Sequence, residues 1–166
     1  MRYYDFTTSP YGQMLLVADG EGISGIYFEG QKYCSRIAPE WRREEQHAPL
    51  RQAKQELAEY FGGEREQFGT ALAPKGTPFQ HAVWKAISTV KFGETITYSE
   101  LASRAGHSGS ARAVGAATGR NPVSIIVPCH RIVGADGSLT GYAGGLDRKR
   151  ALLALESGIP DLLSAA

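Results

Sequence analysis

The sequence predicts a mixed α/β (α+β) fold in two parts, a small antiparallel sheet with a helix and then a helical part with a helix-turn-helix. Two observations carry this prediction. Short apolar and aromatic segments separated by Gly- and Pro-containing turns fill residues 2–28, as in an antiparallel meander. Helical periodicity then dominates residues 78–157. We place the domain boundary between residues 75 and 76, which gives domains 1–75 and 76–166.

Three strand segments open the chain. Residues 2–8 are rich in Tyr, Phe and Thr, residues 13–18 are mostly apolar, and residues 23–28 form a third such run. The sequences Ser-Pro-Tyr-Gly and Asp-Gly-Glu-Gly separate them with residue types that favour turns. The charged stretch 31–49 that follows predicts either a helix or an exposed connection.

The clearest helix of the first part begins at Pro49 and ends at Phe61. Its apolar residues recur at spacings of three and four, and two glycines follow it. Residues 64–77, with a strand-like segment at 68–72, then link the two parts.

The second part begins with a helix over residues 78–90. Thr77 is a good N-cap, and Pro78 suits the first helical position. Two short helices follow over residues 99–105 and 110–118, with a turn that contains two glycines between them. This order predicts a helix-turn-helix, although any helical hairpin has a similar periodicity.

An apolar run over residues 123–127 leads into Pro128-Cys129-His130. A run of this length predicts a buried strand or a turn at the bottom of a pocket. The proline ends regular strand pairing because it has no N–H. A glycine-rich loop over 134–145 and an amphipathic helix over 146–157 complete the chain's pattern.

The composition is that of a folded globular protein. Hydrophobic residues make up 42% and charged residues 21% of the chain, which excludes an intrinsically disordered protein. Residues 1–76 hold nine Lys/Arg against eleven Asp/Glu (−2), and residues 77–166 hold nine against six (+3). The second part is therefore the better candidate to bind a polyanion, although ordinary scatter of surface charge fits as well.

Nothing in the sequence predicts a membrane or a secreted protein. No apolar run approaches the roughly 18 residues that span a bilayer. The N-terminus lacks the apolar core of a signal peptide. We therefore expect a cytoplasmic protein that does not bind membranes.

The two cysteines, Cys34 and Cys129, lie far apart and lack CxxC spacing. Such residues stay free thiols in a reducing compartment. Cys34 also has no other cysteine or histidine close to it in the sequence, and a structural zinc site needs a full set of such ligands. We expect no metal and no cofactor.

Cys129 is a candidate nucleophile. A free thiol has a pKa of about 8.5 and needs a base or a nearby positive charge to form the thiolate. His130 is adjacent, but neighbouring side chains of a strand point to opposite faces, so a bend or a bridging water is required. Glu156 could orient the histidine. A solvent-exposed Glu156 and a Cys129 that only fills the core remain alternatives.

The segment Val127-Pro128-Cys129-His130-Arg131-Ile132-Val133 is similar to the active-site signature of the O6-alkylguanine-DNA alkyltransferases, also called methylated-DNA–protein-cysteine methyltransferases. Further similar segments follow in the family's order: residues 76–80, 96–98, 111–115, 121–122 and 141–146. The resemblance covers residues 76–158 strongly and the first part more loosely. It implies a ribonuclease H-like N-terminal domain and a winged helix-turn-helix-like C-terminal domain.

The resemblance implies direct reversal of DNA damage. Cys129 would attack the alkyl carbon on guanine O6 and keep the alkyl group as a thioether, so each molecule would act once. Glu156 and His130, through a water, would supply the thiolate. Asn121 would hold the active-site turn, and Tyr98 would assist departure of the guanine. Whether O4-alkylthymine is also a substrate is left open.

The resemblance also implies a guanine pocket, formed by Ile132, Tyr142, Ala143, Gly144 and Ser124. Backbone groups would hold the base, Tyr142 would form a wall, and Gly144 would let the loop approach closely. Ser124 stands where some relatives have proline, which would change the fit of the alkyl group.

The implied partner is double-stranded DNA that contains O6-alkylguanine, bound in the minor groove by a monomer with the damaged base flipped out. Arg112 would fill the space that the base leaves. The small residues Ala113 and Gly115 would let the helix approach the groove, and Thr97 and Tyr98 would contact DNA as well.

Two other functions remain open at this point. The first is a non-catalytic alkyltransferase-like protein that binds DNA damage, or a regulator; such relatives replace the nucleophile, whereas Cys129 is present here. The second is a Cys-His hydrolase, which no oxyanion-hole motif supports. Some relatives bind zinc in the first half, but this sequence lacks a matching ligand set.

Overall fold

The computed structural model describes residues 1–158. Its N-terminal sheet contains β1 (Arg2–Thr7), β2 (Met14–Asp19), β3 (Gly22–Phe28) and β4 (Arg42–Arg43), in the order β3-β2-β1-β4. The pairs β1–β2 and β2–β3 are antiparallel. The predicted three-stranded meander is therefore confirmed.

The fourth strand, β4, was not predicted. It pairs in parallel with β1 through Tyr3 and Tyr4. Of the two alternatives for residues 31–49, the exposed connection is the one found, with no helix before Ala48. Two residues of strand are too short to leave a periodic pattern in the sequence.

The predicted first helix is α1 (Ala48–Phe61). Its buried stripe contains Leu50, Ala53, Leu57 and Tyr60. This stripe shares one apolar core with Met14, Leu16 and Ile26 of the sheet. Burying one such leucine contributes about 2 kcal/mol, so the helix is stabilised mainly by its contact with the sheet.

The link between the two parts is not a strand. Only Leu72 forms a bridge, with Ile23 of β3. The N–H groups of Gly69 and Thr70 donate instead to the Glu56 carboxylate of α1, at 3.1 and 3.0 Å. The strand-like segment over 68–72 therefore forms this one bridge within the predicted link, because a side chain takes the donors that a longer strand would need.

Three helices follow in the second part: α2 (Pro78–Ile87), α3 (Tyr98–Arg104) and α4 (Ala111–Gly119). The Thr77 hydroxyl accepts from the Gln80 N–H and the Gln80 side chain accepts from the Thr77 N–H, which is a capping box. α3 and α4 pack against each other and against α2, so the predicted helix-turn-helix is confirmed.

Helix α2 ends three residues before the predicted position. The hydroxyl of Ser88 donates to the Trp84 carbonyl, and that of Thr89 donates to the Ala86 carbonyl. These bonds compete with continuation of the helix. The predicted helix over 78–90 was therefore too long at its C-terminal end.

The remaining elements surround the cysteine. The strands β5 (Ile96–Thr97) and β6 (Ile132–Val133) pair in parallel, and a single 3₁₀ turn (Cys129–Arg131) precedes β6. The helix α5 (Leu146–Ser157) has the predicted bounds. Gly158 ends it in the left-handed conformation, as a C-cap glycine does.

One apolar core crosses the predicted boundary at residues 75 and 76. Phe28 and Tyr60 from the first part share it with Trp84, Ile87 and Leu152 from the second. The division into two domains stays a prediction, and its second domain runs to residue 166, beyond the described residues. Within residues 1–158, no helix is long and apolar enough to cross a membrane.

Candidate active site

The apolar run before the cysteine is a buried turn, so the strand alternative is wrong. Ile125 has φ 72°, which a β-branched residue rarely adopts. The Asn121 side chain closes the turn: its Oδ1 accepts from the Val123 N–H at 3.0 Å, and its Nδ2 donates to the Val127 carbonyl at 2.8 Å. The amide adds to the backbone bonds within the turn, in which the Ile126 N–H donates to the Ser124 carbonyl at 2.8 Å and the Val127 N–H donates to the Val123 carbonyl at 3.0 Å.

Cys129 begins the 3₁₀ turn and is only 6% exposed. Burial raises the pKa of its thiol, while hydrogen bonding with Asn121 and the charge of Lys149 oppose that shift. The thiol is therefore protonated at rest, and its activation requires a base.

His130 is fully buried and is held by Glu156. Its Nε2 lies 2.7 Å from Oε2 of Glu156. Burial lowers the pKa of His130, and the carboxylate of Glu156 opposes this shift. A neutral histidine that donates from Nε2 leaves Nδ1 as an acceptor, and Nδ1 has no hydrogen-bond partner among residues 1–158. His130 is thus arranged as a base.

Glu156 is buried, not solvent-exposed, and it accepts from several donors. Arg131 donates to both carboxylate oxygens, at 2.8 and 3.0 Å, and the Tyr60 hydroxyl donates to Oε2 at 2.6 Å. Burial opposes ionisation, but the bonds from His130 and Arg131 outweigh it and lower the pKa of Glu156 to about 2. The carboxylate is therefore charged at neutral pH.

Lys149 is a buried lysine that no sequence pattern predicted. Its ammonium donates to the carbonyls of Ile132 and Thr140, at 2.6 and 2.7 Å. Burial lowers the pKa of Lys149 to about 8. It ties the glycine-rich loop to β6, and no pattern distinguishes it from its exposed neighbours in a charged stretch of sequence.

A cavity of about 860 Å³ opens beside the thiol. Of the predicted pocket and catalytic residues, its lining includes Cys129, Tyr98, Tyr142 and Ala143. Burial raises the pKa of Tyr142 well above its ordinary value, so its hydroxyl stays protonated. The cavity is large enough for a purine base.

The other predicted pocket residues, Ile132, Gly144 and Ser124, do not line this cavity. Ile132 and Ser124 are fully or almost fully buried. A Cβ added at Gly144 would lie 2.7 Å from Cε2 of Tyr142. Gly144 therefore allows the loop and the Tyr142 ring to pack closely.

The first part of the chain also reaches the cavity, which the sequence did not predict. Lys32 and Tyr33 line it, and the Lys32 N–H donates to the Ala143 carbonyl at 3.1 Å. The guanidinium of Arg120 lies 3.8 Å from the centroid of the Tyr33 ring. These contacts join the loop after β3 to α4 and to the glycine-rich loop.

The predicted DNA-binding residues lie on the helix-turn-helix; Tyr98, Ala113 and Gly115 line the cavity, whereas Arg112 and Thr97 do not. Arg112 is exposed on α4. A Cβ at Gly115 would lie 3.7 Å from the Tyr98 ring. The Thr97 hydroxyl caps α3 by accepting from the Glu100 N–H at 3.2 Å. This bond stabilises the start of the helix, and the predicted contact of Thr97 with DNA stays a prediction.

Titratable residues do not cluster as metal ligands do. Within the described part of the chain, no three or more His, Cys, Asp or Glu side chains converge on one point. Cys34 is exposed, and burial of part of its side chain raises the pKa of the thiol.

Comparisons with known proteins agree over almost the whole chain. Residues 2–74 match the family description "6-O-methylguanine DNA methyltransferase, ribonuclease-like domain", and residues 78–158 match "6-O-methylguanine DNA methyltransferase, DNA binding domain". The chain is 46% identical to the methylated-DNA–protein-cysteine methyltransferase of Methanosarcina acetivorans, over 93% of this chain and 97% of that protein.

A mycobacterial relative and a solved structure are also close. The chain is 54% identical to the protein of the same name from Mycolicibacterium paratuberculosis, over 92% of this chain and 91% of that protein. It superposes on Mycobacterium tuberculosis OGT in complex with DNA with a TM-score of 0.88 and 43% identity, over 98% of each chain. The chain therefore belongs to the family of methylated-DNA–protein-cysteine methyltransferases.

Proposed function

We propose that Cys129 is the residue that takes the alkyl group when this protein repairs O6-alkylguanine in DNA by direct reversal. The observation that carries the proposal is the buried chain from Glu156 to His130 beside a cysteine that lines a base-sized cavity. The alternative of a non-catalytic damage-binding protein is not favoured, because nucleophile and base are both present.

The thiolate forms by proton transfer to His130. Cys129 and His130 share no direct hydrogen bond in the described residues, so we place a bridging water between the thiol and Nδ1. The charged Glu156 stabilises the imidazolium that results. The buried thiol thereby becomes a nucleophile only when the base is able to accept its proton.

The sulfur then attacks the alkyl carbon, the carbon–oxygen bond breaks, and guanine leaves as its anion. Tyr98 lines the cavity, and its hydroxyl donates to the departing base. The carbonyls of Cys129 and Ile132 would hold the exocyclic amine and the Ala143 N–H would bind O6. The carbonyl of Ile132 already accepts from Lys149, so the base would use its second lone pair.

DNA binding requires base flipping, because a stacked base hides the alkyl carbon from in-line attack. Arg112 would enter the space that the base leaves, and the small Ala113 and Gly115 would let α4 approach the minor groove. The protein would act as a monomer in the cytoplasm. O4-alkylthymine is smaller than O6-alkylguanine and would fit the same cavity.

The product is a thioether, which has no easy leaving step, so the protein acts as a stoichiometric reagent. A Cys129→Ala variant tests the assignment. It should bind an O6-methylguanine duplex with the affinity of the wild type and transfer no methyl group. Full transfer by the variant would contradict the proposal, and Cys34→Ala, which changes an exposed thiol, is the matched control that should transfer normally.

A further inference from the structure

We propose that Tyr60, on the helix of the first part, is a positioning residue that limits the basicity of His130 by binding its carboxylate partner. The inference rests on the proposed function, because it concerns the same proton transfer. Tyr60 lies 96 residues from Glu156 in the chain, yet its hydroxyl donates to Oε2 of that carboxylate at 2.6 Å.

Three donors converge on the same oxygen. Besides Tyr60, Oε2 of Glu156 accepts from Nε2 of His130 at 2.7 Å and from Nη2 of Arg131 at 3.0 Å. Tyr60 therefore competes directly with His130 for the lone pairs of one atom. Each of these bonds is strong because the acceptor is charged. Each donor also offsets part of that charge, so it weakens the bonds that the other two donors make to the same oxygen.

The tyrosine is held firmly in this position. It is fully buried, and its ring packs against Phe61, Phe68 and Phe92 at centroid distances of 5.4, 5.6 and 6.1 Å. Burial raises its pKa far above the ordinary value, so the hydroxyl stays a donor throughout the pH range in which the protein works.

The sign of the effect follows from charge. A donor to the carboxylate offsets part of its negative charge, which weakens the field that Glu156 exerts on the imidazolium. Removing the hydroxyl should therefore favour protonated His130. The other charged groups that face His130 are Arg131 from its own turn and Lys149 from α5, and both disfavour its protonation. Neither contacts Tyr60 by hydrogen bond in the described residues.

The arrangement gives the first part of the chain a direct role in the chemistry. The helix α1 supplies an additional donor to Glu156. The active-site segment has no further donor to give, since His130 and Arg131 already donate to this carboxylate. With Tyr60 bound to Glu156, His130 therefore stays neutral, and able to accept a proton, down to a lower pH than it would if Glu156 lacked this donor.

The test is the pH dependence of single-turnover methyl transfer from an O6-methylguanine duplex, measured for the wild type and for Tyr60→Phe. Phenylalanine keeps the ring contacts and removes only the donor. The midpoint of the acidic limb should rise by roughly half a pH unit. Tyr4→Phe, the same change on the other face of the sheet, should leave the midpoint unchanged.

Acid unfolding of a less stable variant would also raise this midpoint, so the folded fraction is measured by circular dichroism at each pH and the rates are divided by it. A Tyr60→Phe midpoint equal to or below that of the wild type would overturn the inference while leaving the proposed function intact. A wild-type protein that takes up no methyl group would overturn both. An NMR titration of the His130 ring should show the same upward shift.

Discussion

At the scale of single residues, the site depends on one buried carboxylate. Glu156 binds His130, Arg131 and Tyr60. The resemblance to a known family placed Glu156 beside His130, and the structure brings them into contact. Tyr60 could not be found in the same way, because its apolar spacing on α1 accounts for burial of the ring and says nothing about its hydroxyl.

Acid should destabilise the protein partly through Glu156. Its folded-state pKa of about 2 lies below the ordinary value of 4.5, so the stabilisation is present above pH 4.5 and is lost as pH falls towards 2. Glu156→Gln should cost about 3–5 kcal/mol at neutral pH, because it leaves Arg131 buried without a counter-charge. The free energies of unfolding, measured with denaturant, should converge for the two proteins as pH falls. A difference at low pH as large as that at neutral pH would contradict this prediction.

At the scale of elements, a turn and a loop position the thiol. The Asn121 amide closes the turn over residues 121–128, and Lys149 holds the glycine-rich loop over 134–145. Periodicity predicted the helices around them because each buries a regular apolar face. It could not distinguish a strand from a turn for residues 123–127, because both bury a continuous apolar run.

Bulk at Gly144 should narrow the pocket. An added Cβ would lie 2.7 Å from the Tyr142 ring and 3.2 Å from the Phe28 ring, so the tyrosine must move. Gly144→Ala should slow transfer from O6-benzylguanine by roughly tenfold more than transfer of methyl, equivalent to about 1.4 kcal/mol. Single-turnover rates with both substrates test this. Ala135→Val adds bulk at an exposed residue of the same loop that does not line the cavity and should leave the benzyl-to-methyl ratio unchanged.

Arg112 on α4 should matter only for duplex substrates. Free O6-benzylguanine needs no base flipping, so Arg112→Ala should react with it at the wild-type rate. Transfer from an alkylated duplex should fall by roughly tenfold or more, the effect of losing at least about 1.4 kcal/mol. The control Arg51→Ala removes an exposed charge from the first part of the chain. Equal loss of reaction with both substrates would show that Arg112 stabilises the fold and has no specific role in binding DNA.

At the scale of the whole molecule, the two parts form one structure around the site. They share an apolar core, and the first part contributes Tyr60 to the carboxylate and Lys32 and Tyr33 to the cavity. The sequence predicted that a sheet with a helix comes first and a helix-turn-helix second, and it predicted the cysteine chemistry of the second part. Contacts between residues this far apart in the chain leave no local pattern, so the role of the first part became visible only in the structure.

The central claim is that Cys129 accepts one alkyl group and keeps it. The direct measurement is mass spectrometry of the intact protein and its peptides after incubation with a large excess of O6-methylguanine duplex. We predict a gain of one methyl group per molecule, located on the peptide that contains Cys129, with no further repair after that. Continued repair beyond one lesion per protein molecule, or a methyl group on Cys34 instead, would contradict the account.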